Sequence, residues 1–186
     1  AAIDGGNLRN AIAREAEAVV TVPEDKVRTF KAMVTKMGKA MVFAFRSTEP
    51  DMEFELRDAE MPKKLIDKET QERLVNLLYA CAHGVLAMSR EIDNFVETST
   101  NLASVKMRGN KIHIATSQRS SVESAKMAAA AKMESTFRLA GCQVKHSDGY
   151  PGWTPNPDSR VLKVGVDVYK KMYGREPVVR AIHAGL

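Results

Sequence analysis

Residues 96–118, VETSTNLASVKMRGNKIHIATSQ, decide the fold. Two β-rich runs, Val96 to Met107 and Lys111 to Gln118, flank Arg108-Gly109-Asn110. A short glycine-containing loop between such runs predicts an antiparallel hairpin. Directly after it, Ser120-Ser121-Val122-Glu123 matches a capping box, in which the Ser120 hydroxyl and the Glu123 carboxylate satisfy reciprocal backbone donors. That start predicts an Ala/Met-rich helix closed by Gly141, with Ala130, Met133 and Phe137 at core positions.

Upstream, Arg14 to Val22 alternates apolar and polar residues and predicts a strand ended by Pro23. From Glu24 to about Phe45, Val27, Phe30, Val34, Met37 and Met41 recur every three or four residues, which predicts a helix opened by acidic residues. Met52, Phe54 and Leu56 alternate with Glu53, Glu55 and Arg57, the pattern of a strand covered on one face. Asp67 is the predicted N-cap of a helix whose buried stripe is Leu74, Leu77, Leu78 and Cys81, with Gly84 beyond its end. Downstream, Cys142 to His146 predicts a strand and Tyr150 to Pro155 a rigid loop. Leu162, Val166, Tyr169 and Tyr173 mark a helix ended by Gly174, and Val178 to Ala184 predicts a last strand. This order describes an α+β fold: a mostly antiparallel sheet with helices on one face, an arrangement that two ferredoxin-like halves would give.

The 186 residues allow one ordinary domain, or two small ones sharing a core, with enough chain to bury apolar surface, and leave no room for a large multi-domain enzyme. With 44% hydrophobic and 27% charged residues, collagen-like, disordered and membrane-spanning classes fit poorly. The start, Ala1 to Gly6, lacks the basic-then-apolar order of a signal peptide, so a cytoplasmic location is the expectation. Two cysteines, Cys81 and Cys142, in apolar contexts read as buried structural thiols. The excess of 28 Lys and Arg over 23 Asp and Glu is spread along the chain, which argues against a nucleic-acid groove.

His83, His113, His146 and His183 lie on separate elements, so no clustered ligand set for a metal is expected in this chain. Neither cysteine has a neighbouring base, and no Gly-x-Ser-x-Gly elbow is present. Three features stand out. Gly5 to Ile12 places two glycines and two asparagines around an arginine, an arrangement able to bring backbone and amide donors close to a ligand or simply to make a capped turn. Arg119, at a strand end before a helix, has a fork that can grip a carboxylate or lie solvated. His183, before Ala184-Gly185-Leu186, can donate to a substrate oxygen or be a strand-edge histidine.

The run Gly5-Gly6-Asn7-Leu8-Arg9-Asn10-Ala11-Ile12, with Arg14-Glu15 behind it, resembles the opening of the lid domain in bacterial aminoacyl-histidine dipeptidases, the Xaa-His or peptidase D family. Glu97-Thr98-Ser99 with Asn101, Arg119-Ser120, Tyr150-Pro151-Gly152-Trp153 with Pro155, and Ile182-His183-Ala184-Gly185-Leu186 are similar to that family's landmarks in the same order. Ala13 departs from the family, which carries proline there. The family's metal-binding histidines, aspartates and general-base glutamate have no counterpart.

The resemblance implies that residues 1–186 are a lid domain, substrate-capping and dimerising, cut from a larger peptidase whose catalytic domain is absent, with its two ends close together. It implies a cytosolic dinuclear-zinc dipeptidase for Xaa-His dipeptides as the intact protein, in which a metal-bound water activated elsewhere attacks the scissile carbonyl. No catalytic or metal-binding residue would then belong to this chain. Its substrate contacts would be Asn10 near the scissile carbonyl or on the substrate backbone, Arg119 on the C-terminal carboxylate and His183 at the substrate end. The implied partners are a dipeptide, the protein's own catalytic domain and a second copy, without nucleic acid or membrane. Two other readings compete: a ferredoxin-like RNA-binding module, disfavoured by 6% aromatic content and by Glu53 and Glu55 on the best exposed strand face, and a structural dimerisation module with no site.

Overall fold

A computed structural model describes residues 2–181. The strands are β1 (Ala2–Gly5), β2 (Ala16–Val19), β3 (Gly84–Met88), β4 (Val96–Arg108) and β5 (Lys111–Ser120); the helices are α1 (Val27–Phe45), α2 (Lys68–Ala80), α3 (Glu123–Leu139) and α4 (Arg160–Tyr173). All pairings are antiparallel within one five-stranded sheet, so the α+β class expected from the sequence is the one adopted. The predicted hairpin forms as β4–β5 around a two-residue turn, where Arg108 pairs with Lys111 and Gly109 takes φ +60°.

The thirteen-residue β4 organises the sheet. β5 runs along one edge from Arg108 to Thr98, while the other edge is shared: β3 pairs with positions 96–100 and β1 with Val105 and Lys106. Between those two partners the Leu102 N–H donates to His83 Nδ1 at 3.0 Å, so an imidazole stands in for a ladder bond. Thr98, Thr100, Leu102, Ile114, Gln118 and Ser120 face α3. There Leu77 and Cys81 from α2 and its end meet Met133 and Phe137 from α3, with Leu102 and Ile114 packed against them. Polar residues on this covered face pair among themselves: Thr98 Oγ1 lies 2.9 Å from Ser120 Oγ, and Gln118 Nε2 donates to Thr100 Oγ1 at 3.0 Å. Cys81 is buried and Cys142 half-buried, both free, and burial pushes both thiols up from their ordinary value.

Several expectations are corrected. The alternating run at 52–57 joins no ladder; it lies extended along α1, with the Phe54 ring over Gly38 and Lys31 Nζ 2.5 Å from Asp58 Oδ1. A Cβ at position 38 would sit 2.1 Å from the Phe54 ring, so the mid-helix glycine is the seat of that ring. Residues 142–146 are likewise not a strand, although Cys142 and Val144 do pack on the core. The strand predicted over Arg14–Val22 is trimmed to Ala16–Val19, and 178–181 are irregular; the rest of the predicted last strand, 182–184, and the chain ends lie outside the described residues. The capping box does not form. Ser120 ends β5 and its Oγ accepts from Val122 N–H at 3.0 Å, while Glu123 turns away to other partners. The Asp67 cap forms as expected, its Oδ1 accepting from Thr70 N–H at 2.9 Å.

Candidate functional site

The face of β4–β5 turned away from α3 carries a polar patch set by a register fault. From the turn back to Ser104 the pairs follow Arg108 with Lys111, but beyond Ala103 the register shifts, so that Asn101 faces Ser117 and Ser99 faces Arg119. One extra residue in a strand turns every later side chain to the other face. Without the bulge at Ala103, Ser99 and Asn101 would point at the core, while Ser117 and Arg119 keep the open face by the unbroken alternation of β5. With it, Ser99, Asn101, Ser117 and Arg119 share the open face.

The same bulge receives the glycine opening. Gly6 has φ +60°, and a Cβ there would lie 2.0 Å from the Ala103 carbonyl oxygen, a backbone atom of a fully buried residue. Only glycine lets the chain leave β1 this close to β4. The loop that follows is closed by Gly6 N–H donating to Glu15 O at 3.0 Å and Ala11 N–H to Leu8 O at 3.3 Å. It is fixed to the sheet by Asn101, whose Nδ2 donates to Ala11 O at 2.7 Å and Arg9 O at 3.3 Å. Asn101 Oδ1 is buried and has no hydrogen-bond partner among the described residues.

Loop and strands enclose a cavity of about 180 Å³ lined by Arg9, Asn10, Ser99, Asn101, Ser117 and Arg119, with Ala11 and Ile12. Asn10 is exposed and Arg119 half-buried. Arg9 donates to Ser147 Oγ at 3.1 Å, and among the described residues Arg119 makes no ion pair. Two guanidinium groups and no carboxylate thus line the cavity, alongside hydroxyl and amide groups. A half-buried arginine fork without a counter-ion is suited to a planar carboxylate. Asn10 and Arg119, singled out from the sequence, meet here; His183 lies outside the described residues. Ser117 carries no sequence signal of its own, and the place of Ser99 and Asn101 opposite Arg119 and Ser117 follows from a bulge that the strand pattern does not show.

A larger groove, about 750 Å³, runs between α1 and the extended 52–55 segment, lined by Val42, Phe43, Met52 and Phe54 among others. The loop after residue 146 is anchored at the start of α3. Gly152 N–H donates to Glu123 Oε2 at 2.7 Å, Lys126 Nζ reaches Tyr150 O at 2.5 Å, and Thr154 Oγ1 donates to Ser121 O at 2.8 Å. A Cβ on Gly152 would approach the Ser120 carbonyl oxygen to 2.9 Å, which explains the glycine in Tyr150-Pro151-Gly152-Trp153. Glu123 is held below the ordinary glutamate value, first by the Gly152 N–H and then by Lys126. No group of three or more His, Cys, Asp or Glu able to hold a metal exists among the described residues, and no helix among them is long and apolar enough to cross a membrane.

No family model matches the chain. The Escherichia coli (strain K12) protein named cytosol non-specific dipeptidase is 31% identical over 183 residues, 98% of this chain and 38% of that protein. The crystal structure of aminoacylhistidine dipeptidase from Vibrio alginolyticus matches with a TM-score of 0.93 at 31% identity, covering 100% of this chain and 38% of that one. The chain thus spans under two fifths of the relatives it resembles, and along essentially its whole length it is homologous to one segment of these dipeptidases.

Proposed function

We propose that this chain is the substrate-capping and dimerisation segment, residues 1–186, of a longer cytoplasmic dipeptidase acting on Xaa-His dipeptides. The observation that carries the reading is the convergence of Asn10 and Arg119 on one carboxylate-sized, cationic cavity. Arg119 grips the C-terminal carboxylate, the Asn10 amide donates to the scissile carbonyl oxygen, and His183 contacts the substrate end. The relatives' names support the dipeptide class, and that of the Vibrio protein supports histidine as the second residue.

The two zinc ions of this reading do not fit the described residues, which hold no ligand cluster, and on this reading they belong to the remainder of the longer protein. A second copy is the partner for α1, where Met33, Met37, Met41 and Phe45 form an exposed stripe one turn apart. The RNA-binding alternative has no support in the site: the 53–55 segment lies outside the sheet, and the open face at 99–101 and 117–119 carries no aromatic ring for a base to stack on.

Arg119→Ala in the full-length enzyme tests the reading. Removing one member of a buried charge-assisted pair costs about 2–5 kcal/mol, so KM should rise, or turnover fall, at least tenfold. The loss should shrink for a dipeptide whose C-terminus is amidated. Wild-type kinetics in the variant would refute the assignment.

A further inference from the structure

Asn101 is anomalous. It buries a carboxamide on a strand in order to donate twice to a neighbouring loop, and it leaves its own oxygen unsatisfied among the described residues. An orphaned buried acceptor is unfavourable, and a serine or threonine there would leave a smaller one. The feature only Asn supplies at this depth is a pair of N–H groups on one nitrogen. Both go to carbonyls, Arg9 O and Ala11 O, which flank Asn10 on either side. The amide orientation is fixed by those partners, since an oxygen in that place would face two carbonyl oxygens. On the strand, Asn101 faces Ser117, two residue pairs from Ser99–Arg119 and on the same face. A single side chain therefore ties the backbone around Asn10 to the strand pair that presents Arg119.

We infer that Asn101 is a positioning residue: it fixes Asn10 at the working distance from Arg119, so that the carbonyl donor and the carboxylate grip act on one dipeptide. The inference rests on the proposed roles of Asn10 and Arg119. Because the clamp acts on the loop and not on the arginine, its loss should separate the two functions. Misplacing the carbonyl donor lowers turnover, whereas the carboxylate grip on the ground state persists.

The test is a double-mutant cycle in the full-length dipeptidase. Asn101→Ala should lower kcat at least tenfold with KM changed less than threefold. Asn101→Asp keeps the shape and replaces both donors with an acceptor, so it should be at least as damaging. In an Asn10→Ala background, Asn101→Ala should cost less than twofold more, because its effect runs through Asn10. Hydrogen exchange should quicken across residues 7–13 in both variants while β4 and β5 keep wild-type protection. Wild-type kcat in both variants, full additivity with Asn10→Ala, or exchange quickened throughout β4 and β5 would each overturn the inference. Should Asn10→Ala and Arg119→Ala both leave the kinetics unchanged, the proposed site itself fails, a different result from failure of the clamp.

Discussion

At the residue scale the site depends on two positions that touch no ligand. Gly6 and Ala103 are in backbone contact, and the bulge at Ala103 decides which face Ser99 and Asn101 occupy beside Arg119. Alanine at position 6 must hold φ +60°, which costs an ordinary residue about 1–2 kcal/mol. It must also displace a carbonyl of a buried strand. Gly6→Ala should therefore destabilise the chain by about 2–4 kcal/mol, lowering Tm by about 6–12 °C. Thermal unfolding followed by circular dichroism checks this, and an unshifted Tm would show that the glycine is not held against β4. The sequence marks the Gly5 to Ile12 run and Arg119 as separate features because glycine, amide and arginine chemistry is visible in the letters. Their convergence on Asn101 was not legible, since a bulge leaves no compositional trace and counting back from the Gly109 turn puts Ser99 and Asn101 on the covered face.

At the scale of elements, periodicity read the helices well and over-read the strands. The stripes of α2 and α3 place Leu74, Leu77, Met133 and Phe137 in the core as their spacing predicts, although Ala129 and not Ala130 is the buried alanine. Alternation at 52–57 and 142–146 reports one covered side of an extended chain, and a helix or a core edge can cover it as well as a sheet can. The failed capping box has a consequence for pH. Glu123 is spent on Gly152 and Lys126, and its carboxyl lies below the ordinary value of 4.5. A depressed folded-state value means that the anchor of the 150–154 loop is complete above about pH 4.5 and is lost as pH falls through the lower folded value. The Gly152 amide resonance should titrate with a midpoint below 4.5, and Glu123→Gln should abolish that inflection. A midpoint at or above 4.5 would show that the carboxylate does not hold the loop.

At the scale of the whole molecule, the surface is too large for a self-sufficient globule. A compact protein of 20.5 kDa exposes about 8,900 Å² by the usual scaling, and this chain exposes 15148 Å². Much of the excess is apolar and ordered into stripes: Met33, Met37, Met41 and Phe45 on α1, and Val161, Val164, Val168 and Met172 on α4. The α4 stripe lies beside the half-buried one, Leu162, Val166 and Tyr169, so this helix is apolar around more of its circumference than a surface helix needs. If the remainder of a longer peptidase covers it, Val164 changes environment between the isolated chain and the intact protein. An aspartate there remains solvated in the 186-residue chain, where Val164 is 53% exposed, and should shift its stability by less than about 0.5 kcal/mol. In the full-length protein the same Val164→Asp buries a carboxylate against apolar atoms and should cost about 2–4 kcal/mol. Denaturant unfolding of both forms measures the difference directly. An equal, small effect in each would mean that α4 faces water in the intact protein and that the excess surface of this chain is covered elsewhere.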